Sequence, residues 1–239
     1  MAFSKKFRLF TEQHINPNAN VNLAKRDINY LKNVLRCRDG DTIRIFNGKD
    51  GEWDSQVREL AKNPHLKPLR VCISQKNQII NDVWLIFSLI KSSRSKLIIE
   101  KATELGVSKI IAVMSLRSNV KSINLDRARL TAIESAEQCG RLNIPQIEYY
   151  RSFEELFEKW PNDRTFIWGD KSSEFNDGSF FINSGGIFVG PEGGYSPEEI
   201  EMLSKHSNSK SISLGNLTLR SETAAIVMLS RWNIINKVW

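Results

Sequence analysis

The chain of 239 residues is 41% hydrophobic and 26% charged, the balance of a soluble globular protein with one large core or two modest ones. Its longest apolar run, Val83 to Ile90, is broken by Ser88 and falls far short of the roughly 20 residues a membrane span needs, and the basic start has no apolar stretch behind it, so neither a span nor a secretory leader is expected. The three cysteines (Cys37, Cys72, Cys139) and three histidines (His14, His65, His206) are scattered, which predicts reduced thiols, a cytoplasmic setting and no metal site, while the net charge of +7 is a weak pointer to a polyanionic partner.

The first third reads as β structure. A short helix is expected near Asp27 to Leu35. Thr42 to Phe46 alternates, Asn47-Gly48-Lys49-Asp50-Gly51 is a turn cluster, and Glu52 to Leu60 returns as the second arm of a hairpin. A loop from Lys62 to Pro68 then precedes a strand at Leu69 to Ser74, and short strands of this kind predict a small barrel. The polar stretch Gln75 to Asn81 marks a linker. Beyond it, strand-like runs at Val83–Leu89, Lys109–Met114, Thr165–Trp168, Gly186–Val189 and Ser211–Leu214 alternate with helical patterns. Those helices fall at Ser95–Leu105, Leu125–Gln138, Pro197–Lys205 and Glu222–Asn236. This alternation predicts an α/β domain with a mostly parallel sheet. The division is therefore 1–74 and 75–239.

The most informative segment runs from Ile187 to Glu199. An apolar strand enters a loop holding Gly190, Gly193 and Gly194, and Ser196, Pro197 and Glu199 then form a helix start with a capping box. The glycines leave backbone exposed to a flat ligand, although a tight turn alone would also explain them. The lysine and Ser/Thr of a phosphate-binding loop are missing, and the spacing is not that of a dinucleotide fingerprint. A second segment, Ser211 to Ala224, repeats the logic: strand, Gly215 turn, a loop with Arg220, then a helix. That helix is apolar on most of its circumference, which calls for burial inside the domain or at a dimer interface.

The stretches GPEGGYSPEE (Gly190–Glu199) and LGNLTLRSETA (Leu214–Ala224) resemble the ribosomal RNA small subunit methyltransferase E family. Glu100 to Val107, Ala136 to Arg141 with Pro145, and Val34 to Arg36 with Gly40 and Asp41 agree. The resemblance covers nearly the whole chain. It implies an N-terminal PUA-like β-barrel that binds RNA and a C-terminal SPOUT-type α/β domain with a trefoil knot. It also implies a homodimer and S-adenosylmethionine-dependent methylation of uridine N3 in 16S rRNA of the small subunit. A ribose 2′-O methylase of the same superfamily and a non-catalytic ribosome-assembly factor are the competing readings. Leu217 and Thr218 depart from the family, which usually has arginine and isoleucine there.

Under the resemblance, the cofactor-binding residues are Trp168, Gly169, Val189, Gly190, Glu192, Gly193, Leu214, Gly215 and Leu219, and the catalytic candidates are Arg220 and Glu222. Arg220 would stabilise the anion left when the N3 proton departs, or hold a phosphate; an ion pair with Glu222 is the plainer reading. Glu134, Glu137, Gln138 and Arg141 share one helix face, ordinarily a solvated one; the match to the family is what implies Gln138 and Arg141 as a wall of an RNA cleft. Lys5, Lys6, Arg8, Arg36 and Arg38 form basic clusters expected to contact RNA. Phe7 and Phe10 are expected to be buried in the barrel. Lys101 and Glu104 are placed for an ordinary i,i+3 ion pair. On the dimer reading, Met228 or Trp232 would lie near the contact.

Overall fold

The computed structural model describes residues 7–77, 81–171, 173 and 184–238; Lys5 and Lys6 lie outside them. The chain forms two compact units, Met1–Gln78 with Ala136–Ile144, and Ile79–Ser135 with Pro145–Trp239.

The first unit is a five-stranded sheet in the order β1-β3-β4-β5-β2. Its strands are β1 (Arg8–Phe10), β2 (Val21–Asn22), β3 (Thr42–Phe46), β4 (Glu52–Arg58) and β5 (His65–Ile73). The hairpin β3–β4 is closed by Asn47, whose side-chain oxygen accepts from the amides of Lys49 and Asp50 at 2.9 and 2.8 Å. Such side-chain mimicry of a turn is why asparagine suits this position. Ile43 and Ile45 alternate inward and meet Leu9, Val21, Leu31, Val57 and Leu66 in the core. Strand β5 starts at His65, earlier than the expected Leu69. Pro68 is tolerated within it because it stands opposite Ser55, where the β4–β5 register shifts, and a bulge is one of the few places a sheet accepts proline. The expected helix at Asp27 to Leu35 starts sooner, as α1 (Lys25–Asn29), and passes into a wider π turn over Tyr30–Val34. Phe10 packs edge-on against Phe46 at 5.7 Å, but Phe7 is 48% exposed, contrary to its expected burial.

The second unit is a six-stranded, wholly parallel sheet in the order β11-β9-β10-β6-β7-β8. Its elements in chain order are β6 (Asp82–Ser88), α2 (Ser92–Glu104), β7 (Lys109–Val113), α3 (Leu125–Cys139), β8 (Gln146–Tyr150), α4 (Phe153–Glu158), β9 (Phe166–Gly169), β10 (Ser184–Val189), α5 (Pro197–Lys205), β11 (Ser209–Ile212) and α6 (Ser221–Ile235). The end of α3 beyond Ser135 counts with the first unit. Central strands buried on both faces read as continuous apolar runs, and Leu85–Phe87, Ile110–Val113 and Ile187–Val189 do so. β8 and α4 were not expected, although Ser152 with Glu155 three residues on is a cap signal; the serine Oγ accepts from the Glu155 amide at 3.3 Å.

Two neighbouring glycines set the thickness of this unit. A Cβ on Gly186 would stand 2.5 Å from the Trp160 ring, and one on Gly185 would stand 3.0 Å from Trp232. Successive residues of a strand face opposite sides, so each glycine lets the six-membered ring of one indole approach β10 closely. The Trp232 Nε1–H then donates to the Asn81 side-chain oxygen at 3.0 Å, and the Asn81 amide donates to Asn233 at 2.8 Å. Asn81, assigned from sequence to the linker, is thus a buried polar anchor of α6. Met228 and Trp232 are 0% and 1% exposed. Both lie in the subunit's own core, which corrects their expected place at a dimer contact.

Candidate active site

The carboxyl ends of β9, β10 and β11 open into three loops, and in parallel α/β sheets ligands bind at such ends. Described residues of these loops line a cavity of about 320 Å³. Backbone ties hold them in place. Ser221 Oγ at the start of α6 donates to the Gly190 carbonyl at 2.7 Å, the Gly194 amide donates to the Pro191 carbonyl at 2.9 Å, and the Asp170 amide donates to Ile212 at 2.9 Å. A Cβ on Gly190 would meet the Tyr195 ring at 3.1 Å, so that ring seals the loop from below. Tyr195 itself packs edge-on to Trp168 at 5.9 Å, and burial pushes its phenol far above the ordinary range, so it serves as a neutral wall.

The capping box at α5 forms as the sequence predicts: Ser196 Oγ accepts from the Glu199 amide, and Glu199 accepts from the Ser196 amide at 2.8 Å. The second Glu199 oxygen accepts from the Leu116 amide at 2.8 Å, which ties the segment after β7 to the glycine loop. Two arginines flank that loop. Arg94 on α2 donates to Glu192 at 2.9 Å, and Arg117 donates to the Gly193 carbonyl at 3.0 Å.

Of the residues assigned to the cofactor, Trp168, Gly169, Val189, Gly190, Glu192, Leu214, Gly215 and Leu219 line the cavity. Gly193 does not. A Cβ there would point at Arg117, 3.5 Å away, and Gly194 lines the cavity instead. The geometry adds Asp170, Lys171, Tyr195, Ser221 and Met228 to the lining. Tyr195 and Ser221 sit inside the two motifs; Lys171 carries no such signal. Its ammonium donates to Thr218 Oγ1, one of the two residues departing from the family pattern. The other, Leu217, stands at the cavity 79% exposed.

Arg220 caps α6, is exposed, and makes no side-chain hydrogen bond or ion pair among the described residues. The Arg220–Glu222 pair considered from sequence is therefore absent. Glu222 is buried and lies 3.8 Å from Arg94; its other carboxylate oxygen has no hydrogen-bond partner among the described residues.

In the first unit the basic residues separate. Arg8 is not free for RNA. Its side chain is 9% exposed, pairs with the buried Glu52, lies 4.2 Å over the Phe46 ring, and donates to the carbonyls of Ala136, Glu137 and Arg141. Glu137 accepts from the Phe10 amide at 3.0 Å and belongs to the same packing. Arg36, Arg38 and Gln138 are exposed, and Arg36 adopts left-handed backbone with φ of 54°. Arg141 is half-buried, and desolvation pulls its guanidinium down to about 10. In the second unit, Lys101 and Glu104 form the expected pair at 2.9 Å.

Residues 76–233 match the model of an RNA methyltransferase domain, and residues 23–65 match that of an RNA methyltransferase PUA domain. The ribosomal RNA small subunit methyltransferase E of Rickettsia conorii is 32% identical over 95% of each chain. The chain belongs to the ribosomal RNA small subunit methyltransferase E family. It is an RNA methyltransferase by that membership, with a PUA-like domain ahead of a SPOUT-type α/β domain. A protein of Legionella pneumophila solved with the cofactor SAM bound is similar in structure, with TM-score 0.84, 25% identity and coverage of 96% of this chain and 98% of that one. The family member of Neisseria gonorrhoeae, solved bound to S-adenosyl methionine, shares the fold at TM-score 0.84 and 24% identity, over 96% and 98% of the two chains.

Proposed function

We propose that the chain transfers a methyl group from S-adenosylmethionine to N3 of a uridine in 16S rRNA of the small ribosomal subunit. The observation that carries this reading is the backbone-rimmed cavity at the ends of β9, β10 and β11, beside Arg220, which has no ion pair among the described residues. The fit to the donor rests on shape and chemistry. Trp168, Leu214, Leu219 and Met228 offer apolar walls for an adenine. At Gly169 and Gly215 a Cβ would meet nothing within 4 Å, so a planar ligand has room against bare backbone.

When bound, the cofactor supplies a sulfonium methyl already activated for transfer. The protein's share of the work is alignment, water exclusion and charge management. Uridine N3 carries a proton that must leave, and Arg220 stabilises the anion at O2 or O4. Glu222 keeps one buried oxygen with no hydrogen-bond partner among the described residues; it stands behind the cavity lining, so that proton would reach it only through a water, while Arg94 holds the other oxygen's side. We further assign residues 1–74 to the PUA-like RNA platform, with Arg36 and Arg38 as its contacts, and residues 75–239 to the knotted catalytic domain, whose Gln138 and Arg141 belong to the segment Ala136–Ile144 that packs with the first unit and add two further RNA contacts. The enzyme works in the cytoplasm as a homodimer whose contact uses the apolar residues α6 leaves exposed, Ile234 and Ile235.

Mass mapping of modified nucleosides in 16S rRNA from cells lacking the protein tests the chemistry. Loss of one N3-methyluridine supports it. Loss of a 2′-O-methylated nucleotide would transfer the activity to ribose. An unchanged map, with no heat of S-adenosylmethionine binding to the purified protein, would leave an assembly factor.

A further inference from the structure

A second cavity, about 520 Å³, lies behind the carboxyl ends of β6 and β7, next along the sheet from β10. Its lining differs in character from the first. Ile90 and Ile99 are buried and give it an apolar floor, while Ser93, Lys96, Ser122 and Arg127 stand exposed around it. None of its lining residues is acidic. The side chains of Lys96 and Arg127 form no ion pair among the described residues, whereas Lys101, one turn further along α2, is paired with Glu100 and Glu104. The first turn of α2 holds no acidic residue and its cap contributes no side-chain hydrogen bond. The same turn is linked to both cavities: Ser93 and Ser95 line this one, and Arg94 between them donates to Glu192, which lines the other.

We propose that this cavity seats one nucleotide of a single-stranded RNA, with its phosphates on Lys96 and Arg127 and its base over Ile90 and Ile99. The inference rests on the RNA-methylating reading of the first cavity and names where the acceptor strand lies. A small inorganic anion would have no use for the apolar floor, and an apolar ligand would have none for two cations without an ion pair among the described residues. A nucleotide uses both, and a pocket of this size accommodates one.

The test measures binding of a short fluorescent oligouridylate by anisotropy across a salt series. Three variants are compared with wild type: Lys96→Ala with Arg127→Ala, the charge-keeping pair Lys96→Arg with Arg127→Lys, and Ser122→Trp, which fills the cavity without removing charge. The alanine pair is expected to weaken binding about ten-fold and to flatten the log–log salt slope by about 1.4, the share of two phosphate contacts on a single strand. The charge-keeping pair retains the slope, Ser122→Trp weakens binding with the slope retained, and S-adenosylmethionine affinity stays unchanged throughout. Unchanged oligonucleotide affinity in both the alanine pair and Ser122→Trp would overturn the proposal. So would loss of uridine 5′-monophosphate binding with undiminished oligonucleotide binding. Failure of the wild type to methylate small subunits would strike the methyltransferase reading instead, and the anisotropy series would still decide this cavity.

Discussion

Replacing Arg8 by alanine separates a packing role from an RNA-binding one. Glu52 is 1% exposed and is held by Arg8 on one carboxylate oxygen and by Arg44, at 2.7 Å, on the other. Removing one partner of a buried pair costs about 3–5 kcal/mol. Because Arg44 remains, the lower end applies, about 3 kcal/mol. The freed carbonyls of Ala136, Glu137 and Arg141 lose their shared donor as well, so the estimate is not inflated by ignoring compensation. For a unit of this size each kcal/mol moves the melting temperature by roughly 4–8 °C, so the transition should fall by about 12 °C or more. Scanning calorimetry reads this directly, and Arg8→Lys should recover only part of it, because one ammonium cannot reproduce the guanidinium fork. If Arg8→Ala melts within about 2 °C of wild type while its affinity for small subunits collapses, Arg8 is an RNA contact and the packing argument fails.

Gly169→Val places its side chain in open cavity space and should raise the S-adenosylmethionine Kd about ten-fold or more, whereas Gly193→Val, facing Arg117, should leave it nearly unchanged; calorimetric titration of both reverses the assignment if the order is reversed. His206 stacks on Phe157 at 5.2 Å, and burial holds its pKa below the ordinary 6.5, so the fold favours the neutral ring. Its stabilisation is complete above pH 6.5 and is lost as pH falls through the lower folded value, so His206→Phe should flatten the decline of denaturation midpoints on the acid side of pH 6.5; an unchanged pH profile would clear His206 of that role. Ile234 is 64% exposed on α6, and Ile234→Glu should turn a sedimenting dimer into a monomer with reduced methylation; a wild-type monomer of full activity would end the dimer assignment.

The strand–glycine loop–helix pattern made the cavity legible in the sequence, because the glycines, the capping box and the apolar strand are all local in the chain. Which way each residue faces within the loop is not a local property. Gly193 and Gly194 are neighbours in one motif, yet only Gly194 borders the cavity, since Arg117 from another element occupies the other side. Arg8 reads as a surface charge among lysines until Glu52 and the end of α3 close around it. The Arg94–Glu192 pair joins residues nearly a hundred positions apart, and no spacing rule reaches that far. β8 is hard to read because Gln146–Tyr150 is only half-buried and lacks the apolar run that reveals central strands, and α4, at six residues, is too short to show a helical period.

The strand order also sets a timetable. β6 is made early, but β10, its neighbour with Asp82 opposite Ser184, follows only after β7, β8 and β9. During synthesis the apolar flank of β6 must wait through roughly a hundred residues, roughly 5–20 s at about 5–20 residues per second. A strand edge left open that long is a template for pairing with another nascent chain. Yield on rapid overexpression should therefore be governed by how well that edge is shielded at the ribosome.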